Sequence, residues 1–186
     1  LRTAGFVVVR GVYSANEVAE LRAECERARA AMTRDDPRAW WGEHSDGSMV
    51  CARVNYAGDF SNALQALFTE PRLRAIIAAT GEPVRPAAAR LDGATVIFKT
   101  PEMRRGLSDL PWHRDCGMGG HPVMCPLINA SVHLTQVSAA TGDLRAIPGS
   151  FAGSIAEIDG AMSENAGISL AARAGDVTLH YGDVLH

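Results

Sequence analysis

Gly175-Asp176-Val177-Thr178-Leu179-His180-Tyr181-Gly182-Asp183-Val184-Leu185-His186 opens on a glycine and an aspartate, runs through β-branched and aliphatic residues, and carries two histidines. Its opening run, Val177 to Leu179, has the composition of a short strand bounded by turn residues. Upstream stands Trp112-His113-Arg114-Asp115. Read as a strand, this segment points His113 and Asp115 the same way and Arg114 the other, because alternate side chains share a face. Two imidazoles and one carboxylate can hold one face of a ferrous ion and leave further positions open for substrate chemistry. Hydrolytic zinc takes the same ligands, so the residue types alone leave the metal open.

Working outward, from about Thr95 the chain breaks into short β-rich runs: Thr95 to Lys99, Ala130 to Gln136, Leu144 to Ile147 and Val177 to Leu179. Gly, Pro, Asn and Asp separate them, which points to a sandwich or barrel of antiparallel strands. The earlier half reads differently. Gly5 to Gly11 is a β-branched run between glycines and predicts a strand. Ser14 with Glu17 forms a capping box, and Val18, Leu21, Cys25 and Ala28 follow at helical spacing, predicting a helix of about 16 residues. Asp35 to Gly47 is polar and turn-rich and predicts a loop, in which Trp40-Trp41 either cover a pocket mouth or staple onto the helices. Met49 to Asn55 predicts a strand, and Ser61 to Phe68 and Pro71 to Ala79 a helix pair, with Pro71 in a first turn and Gly81 as a C-terminal cap. The expected fold is mainly β with flanking helices: a double-stranded β-helix (jelly-roll, cupin-like) with the N-terminal helices packed on one sheet. One domain over residues 1–186 is expected, helix-rich to about residue 90 and jelly roll from about residue 91.

Composition limits the partners. With 186 residues, 47% hydrophobic and 21% charged, the chain can bury a sizeable core. It has no apolar run long enough to span a membrane. Leu1 to Gly5 does not resemble a secretion signal, so a cytoplasmic enzyme is the expectation. A net charge of -3 with scattered Lys and Arg disfavours nucleic acid, leaving a small-molecule substrate as the expected partner and the oligomeric state open. Cys25, Cys51, Cys116 and Cys125 read as reduced, mostly buried thiols.

Taken together, Ile97-Phe98-Lys99-x-Pro101, Trp112-His113-x-Asp115, Thr141 to Ser150 with its Ile-Pro-Gly-Ser turn, and Gly175-Asp176 spaced ahead of His186 resemble the phytanoyl-CoA dioxygenase family of iron and 2-oxoglutarate dependent oxygenases. The resemblance implies His113, Asp115 and His186 as catalytic metal ligands for Fe(II), with His180 as a pocket or core residue. It implies 2-oxoglutarate contacts at Thr95, Ser131 and Arg53; Lys99 reads either as a further cationic contact or as a solvated strand-end lysine. A buried dicarboxylate needs such cation and hydroxyl donors. Ser131 and Phe151 depart from the residues usual at their places. The arginine that pairs with the far carboxylate of 2-oxoglutarate in that family lies on the strand after the distal histidine. The native protein is therefore expected to continue beyond His186 with at least one more strand.

The activity implied is hydroxylation of an unactivated C–H bond with O2, releasing succinate and carbon dioxide, the cofactor supplying the hard chemistry. Asp115 argues against halogenation, since related halogenating enzymes have a small residue at that place. The absence of a basic patch favours a free small molecule of secondary metabolism over a CoA ester. Cys116 to Cys125 reads as an ordinary connecting loop or as a wall to the substrate, and Asn129, Ser131, His133 and Thr135 alternate as a polar strand face toward either cavity or solvent. Two other readings remain open: a cupin-like isomerase, lyase or hydrolase that does not use 2-oxoglutarate, and a non-catalytic small-molecule binder.

Overall fold

The computed structural model describes residues 1–85, 93–105, 110–115, 127–138, 140–152 and 167–186. β9 (Val177–Tyr181) is its central strand, with every residue buried. β1 (Phe6–Val9) and β6 (Ile128–Val132) flank it, both antiparallel, with Phe6 and Asn129 opposite His180 from the two sides. Val177 and Leu179 join an apolar cluster with Val18, Leu21, Cys25, Ala28 and Leu73. Full burial of an aliphatic side chain of this size stabilises by roughly 1.5–3 kcal/mol. Thr178 and His180, alternating with them, turn to the opposite face of the sheet.

The helices that cover the apolar face form where local chemistry directs. Ser14 and Glu17 close a complete capping box, so α1 runs Ala15–Ala30 and buries Val18, Leu21, Cys25 and Ala28. The Ser61 hydroxyl caps α2 (Asn62–Ala66), which continues into a 3-10 turn at Leu67–Thr69. Pro71 suits the first turn of α3 (Pro71–Ala79), where a missing N–H costs nothing, and the Glu70 carboxylate accepts from the Leu73 amide. Cys25 and Cys51 are buried free thiols, while Cys116 and Cys125 lie outside the described residues.

A second sheet has the order β4-β3-β2-β5, from β2 (Ala39–His44), β3 (Met49–Val54), β4 (Val96–Ile97) and β5 (Met103–Arg105). The loop expected over Asp35 to Gly47 is thus corrected: Trp40 and Trp41 sit in a strand. Cross-strand pairing with β3 overrides the polar flanks, and the two rings, adjacent along a strand, point to opposite faces. Trp41 packs against the α1 cluster, while Trp40 is 41% exposed. β7 (Arg145–Ala146) and β8 (Ile168–Ser169) form a small third sheet.

Other expected strands shift, among them the run over Leu144 to Ile147, which shortens to Arg145–Ala146. The run expected over Ala130 to Gln136 starts at Ile128 and stops at Val132, because the His133 amide donates to the Asp176 carbonyl and its own carbonyl accepts from Gly175. The run from Thr95 shrinks to Val96–Ile97. The overall expectation stands: the structure is mainly β, its sheets antiparallel, with helices on one face. No helix among the described residues is long and apolar enough to cross a membrane.

Candidate metal centre

His113, Asp115 and His186 converge on the side of the sheet away from α1, although His113 to Asp115 is not the strand expected of it. Two backbone bonds hold it instead: the His113 amide donates to the His186 carbonyl at 2.9 Å, and the His186 amide returns to His113 at 3.0 Å. Residues in such a reciprocal pair lie directly opposite each other, so the two imidazoles start as neighbours. Their ring centroids are 4.4 Å apart. Arg114 points away, as expected, and donates to the Ser150 carbonyl at 2.9 Å.

The Ile-Pro-Gly-Ser turn now has a physical role. The Ser150 hydroxyl accepts from the Leu185 amide at 2.8 Å, and the Ile147 amide donates to the Leu185 carbonyl at 3.0 Å. The turn therefore clamps the residue before His186. Gly175-Asp176 anchors the other end of the segment. The Asp176 carboxylate accepts from Arg10 at 2.6 Å, the Gly11 amide at 2.9 Å and the Arg173 amide at 2.8 Å. Gly175 adopts φ +89°, and a Cβ there would stand 2.3 Å from the Tyr13 carbonyl oxygen, so only glycine fits.

Inside the site, one ligand atom from each of the three residues lies within 4.8 Å of the other two. His113 Nε2 is 3.5 Å from Asp115 Oδ1 and His186 Nε2 is 3.5 Å from Asp115 Oδ2. His113 Nδ1 is 2.9 Å from the Pro111 carbonyl and His186 Nδ1 is 3.0 Å from that of Val184. A carbonyl only accepts, so both Nδ1 atoms carry a proton, and both Nε2 atoms are the ring nitrogens turned to the carboxylate. This outer bonding is typical of imidazoles that ligate a metal. The donor set therefore fits a divalent ion. The site is closed around His186, whose side chain is 9% exposed, and open at His113 and Asp115, at 32% and 29%.

Electrostatics agree with that arrangement. Burial pushes the Asp115 carboxyl up, but hydrogen bonds from His113 and His180 and the charge of the surrounding imidazoles hold it well below the usual carboxylate range. The Asp115 bond raises His113 despite its desolvation. Burial, then the nearby His180, pushes His186 down to about 4, which keeps this imidazole neutral and available as a ligand.

His180, read from the sequence as a pocket or core residue, is both: it is buried and its Nε2 stands 3.0 Å from Asp115 Oδ2. Asn129 donates to the same oxygen. Asn129 drew notice in the sequence only as part of an alternating polar face; its contact depends on strand register, which no local signal specifies.

The four candidate 2-oxoglutarate residues divide. Arg53 interacts electrostatically with Asp115; burial depresses its guanidinium, the carboxylate pulls it back up, and its Nε is buried with no hydrogen-bond partner among the described residues. It also stacks over Trp40 at 4.6 Å. Ser131 is two residues from Asn129 on the same face of β6 and opposite Thr178. Thr95 is exposed and donates to Asn55 at 3.4 Å, and Lys99 is exposed with its methylenes over Gly142. The loop Cys116 to Cys125 lies outside the described residues.

Known proteins give this geometry a context. The chain is similar to EvdMO1 at 24% identity and TM-score 0.73, covering 99% of this chain but 43% of that one. It is similar to AviO1 from Streptomyces viridochromogenes Tue57 at 23% identity and TM-score 0.70, covering 99% of this chain and 81% of that one. It is also similar to SnoN, a non-heme alpha ketoglutarate dependent epimerase from nogalamycin biosynthesis, at 24% identity and TM-score 0.64, covering 99% and 70%. SnoN has been crystallised with Fe3+, alpha ketoglutarate and nogalamycin RO. These likenesses establish the double-stranded β-helix fold. No curated protein matches the chain in sequence. The expected cofactors, a metal and 2-oxoglutarate, agree with what such neighbours bind. The model of the phytanoyl-CoA dioxygenase (PhyH) family matches residues 1–186, and the chain belongs to that family.

Proposed function

We propose that this chain is an Fe(II)- and 2-oxoglutarate-dependent oxygenase that hydroxylates an unactivated C–H bond of a small molecule of secondary metabolism. The observation that carries the reading is the triad of His113, Asp115 and His186, with both imidazole Nδ1 groups tied to backbone carbonyls and both Nε2 atoms turned to the carboxylate. When bound there, iron with 2-oxoglutarate and dioxygen supplies the oxidising power, and 2-oxoglutarate leaves as succinate and carbon dioxide. The three side chains hold the metal, and the Pro111 and Val184 carbonyls keep the two rings from turning. Arg53 offers a half-buried cation and Ser131 a hydroxyl for the dicarboxylate, with Thr95 and Lys99 as outer contacts. Asp115 occupies the position that a halide would need, which favours hydroxylation over halogenation.

The test is incubation with Fe(II), 2-oxoglutarate, oxygen and a panel of small natural products. Succinate release coupled to a product that gains an oxygen atom is expected, and Asp115→Ala or His186→Ala should abolish both. Succinate with a product of unchanged mass would instead support an epimerase like SnoN. No succinate from iron-loaded protein across the panel would favour the cupin-like isomerase, lyase or hydrolase.

A further inference from the structure

We propose that Asn129 and His180 are positioning residues that hold Oδ2 of Asp115, so that the carboxylate presents only Oδ1 to the metal. This rests on the metal-binding reading of His113, Asp115 and His186. Asp115 Oδ2 receives the Asn129 amide and stands 3.0 Å from His180 Nε2. It is also 3.5 Å from His186 Nε2, while Oδ1 has His113 Nε2 at 3.5 Å. An ionised carboxylate only accepts, so His180 Nε2 carries the proton that points at it. Two donors on one oxygen occupy the lone pairs that would otherwise reach a metal.

The strand ladder makes this arrangement rigid. Asn129 and His180 are direct cross-strand partners on β6 and β9, and their side-chain nitrogens are 3.4 Å apart. Two donors delivered by one register pair move together with the sheet. His180 is further braced by the His186 ring at a centroid distance of 4.3 Å. Register thus fixes which carboxylate oxygen is spoken for. A carboxylate held to one oxygen occupies one coordination position rather than two, which leaves room for a two-point cosubstrate and dioxygen.

Cobalt(II) tests this without turnover, because its visible spectrum reports coordination number. Asn129→Ala and His180→Phe are expected to weaken cobalt binding by about 10–100-fold, the usual cost of removing a partner of a metal ligand. Both should also alter the ligand-field spectrum as the freed oxygen enters the coordination sphere. His180→Gln, which can present an N–H at the same place, is expected to keep the wild-type spectrum. Wild-type affinity and spectrum in Asn129→Ala would overturn the proposal, as would a His180→Gln protein altered as much as His180→Phe. His186→Ala separates the underlying reading: retention of cobalt by that variant would sink the triad itself. Asn129 is only half-buried, so Asn129→Ala remains decisive should His180→Phe fail to fold.

Discussion

Asp176→Ala is expected to be among the most damaging substitutions remote from the metal centre. The carboxylate is 3% exposed and accepts from two backbone amides, Gly11 and Arg173, as well as from Arg10. Each amide left without a partner costs about 1–3 kcal/mol when buried, and these two are only partly buried, so the lower half of that range applies. Arg10 is half exposed and re-solvates readily, so its ion pair adds no more than about 1 kcal/mol. The total is about 2–5 kcal/mol, or roughly 4–20 °C in melting temperature for a chain of this size. Asp176→Asn should recover only part of the loss, because its NH2 group meets donors where the second oxygen accepted. The pH dependence has a definite sign. Burial raises this carboxyl, but the Gly11 amide, Arg10 and the Arg173 amide outweigh it and hold it below the usual carboxylate range. A depressed folded-state value contributes stability above the unfolded value of about 3.9 and loses it as pH falls through the folded value. Urea unfolding of wild type and Asp176→Ala from neutral to acid pH measures this. A difference under about 0.5 kcal/mol at neutral pH, or one undiminished at about pH 2, would refute the reasoning.

Further outcomes follow from other contacts. Leu179 is fully buried at the centre of β9, so Leu179→Ala should cost about 2–5 kcal/mol by denaturant titration. Ser150→Ala leaves the buried Leu185 amide without its acceptor, which predicts a loss of about 1–3 kcal/mol together with weaker cobalt binding as His186 loosens. Ser14→Ala removes the hydroxyl half of the capping box; the Ser14 contact to the Glu17 amide is long at 3.4 Å, so thermal melting should show a loss near the low end of about 0.5–2 kcal/mol.

What the sequence disclosed follows from how local each signal is. The Ser14 and Glu17 box and the Pro71 start are set within one turn, and both helices lie where those residues place them. The three ligand candidates come from the H-x-D pattern read through the family resemblance, which sets His186 above His180, and the structure gathers them. β2 was hidden because Trp40 and Trp41 acquire strand geometry from β3 and not from their polar neighbours. The segment His113 to Asp115 was expected as a strand, and its side chains do reach one site, but the cause is the reciprocal bond to a residue distant in sequence. Asn129 and His180 meet Asp115 only through pairing of β6 with β9, and pairing register between distant segments is not written in either segment alone.

The placement of β9 between β1 and β6 also dictates when the centre can exist. Phe6 and His180 are cross-strand partners although far apart in sequence, so the sheet beneath the ligands closes a very long loop. Contacts of such separation form late and slowly. During synthesis β1 cannot pair with β9 until β9 has been made, and no nascent chain that stops short of His186 can hold all three ligands. Acquisition of metal would then mark closure of this sheet, and a strand edge exposed for that long is the place where a chaperone or a misfolding partner would first take hold.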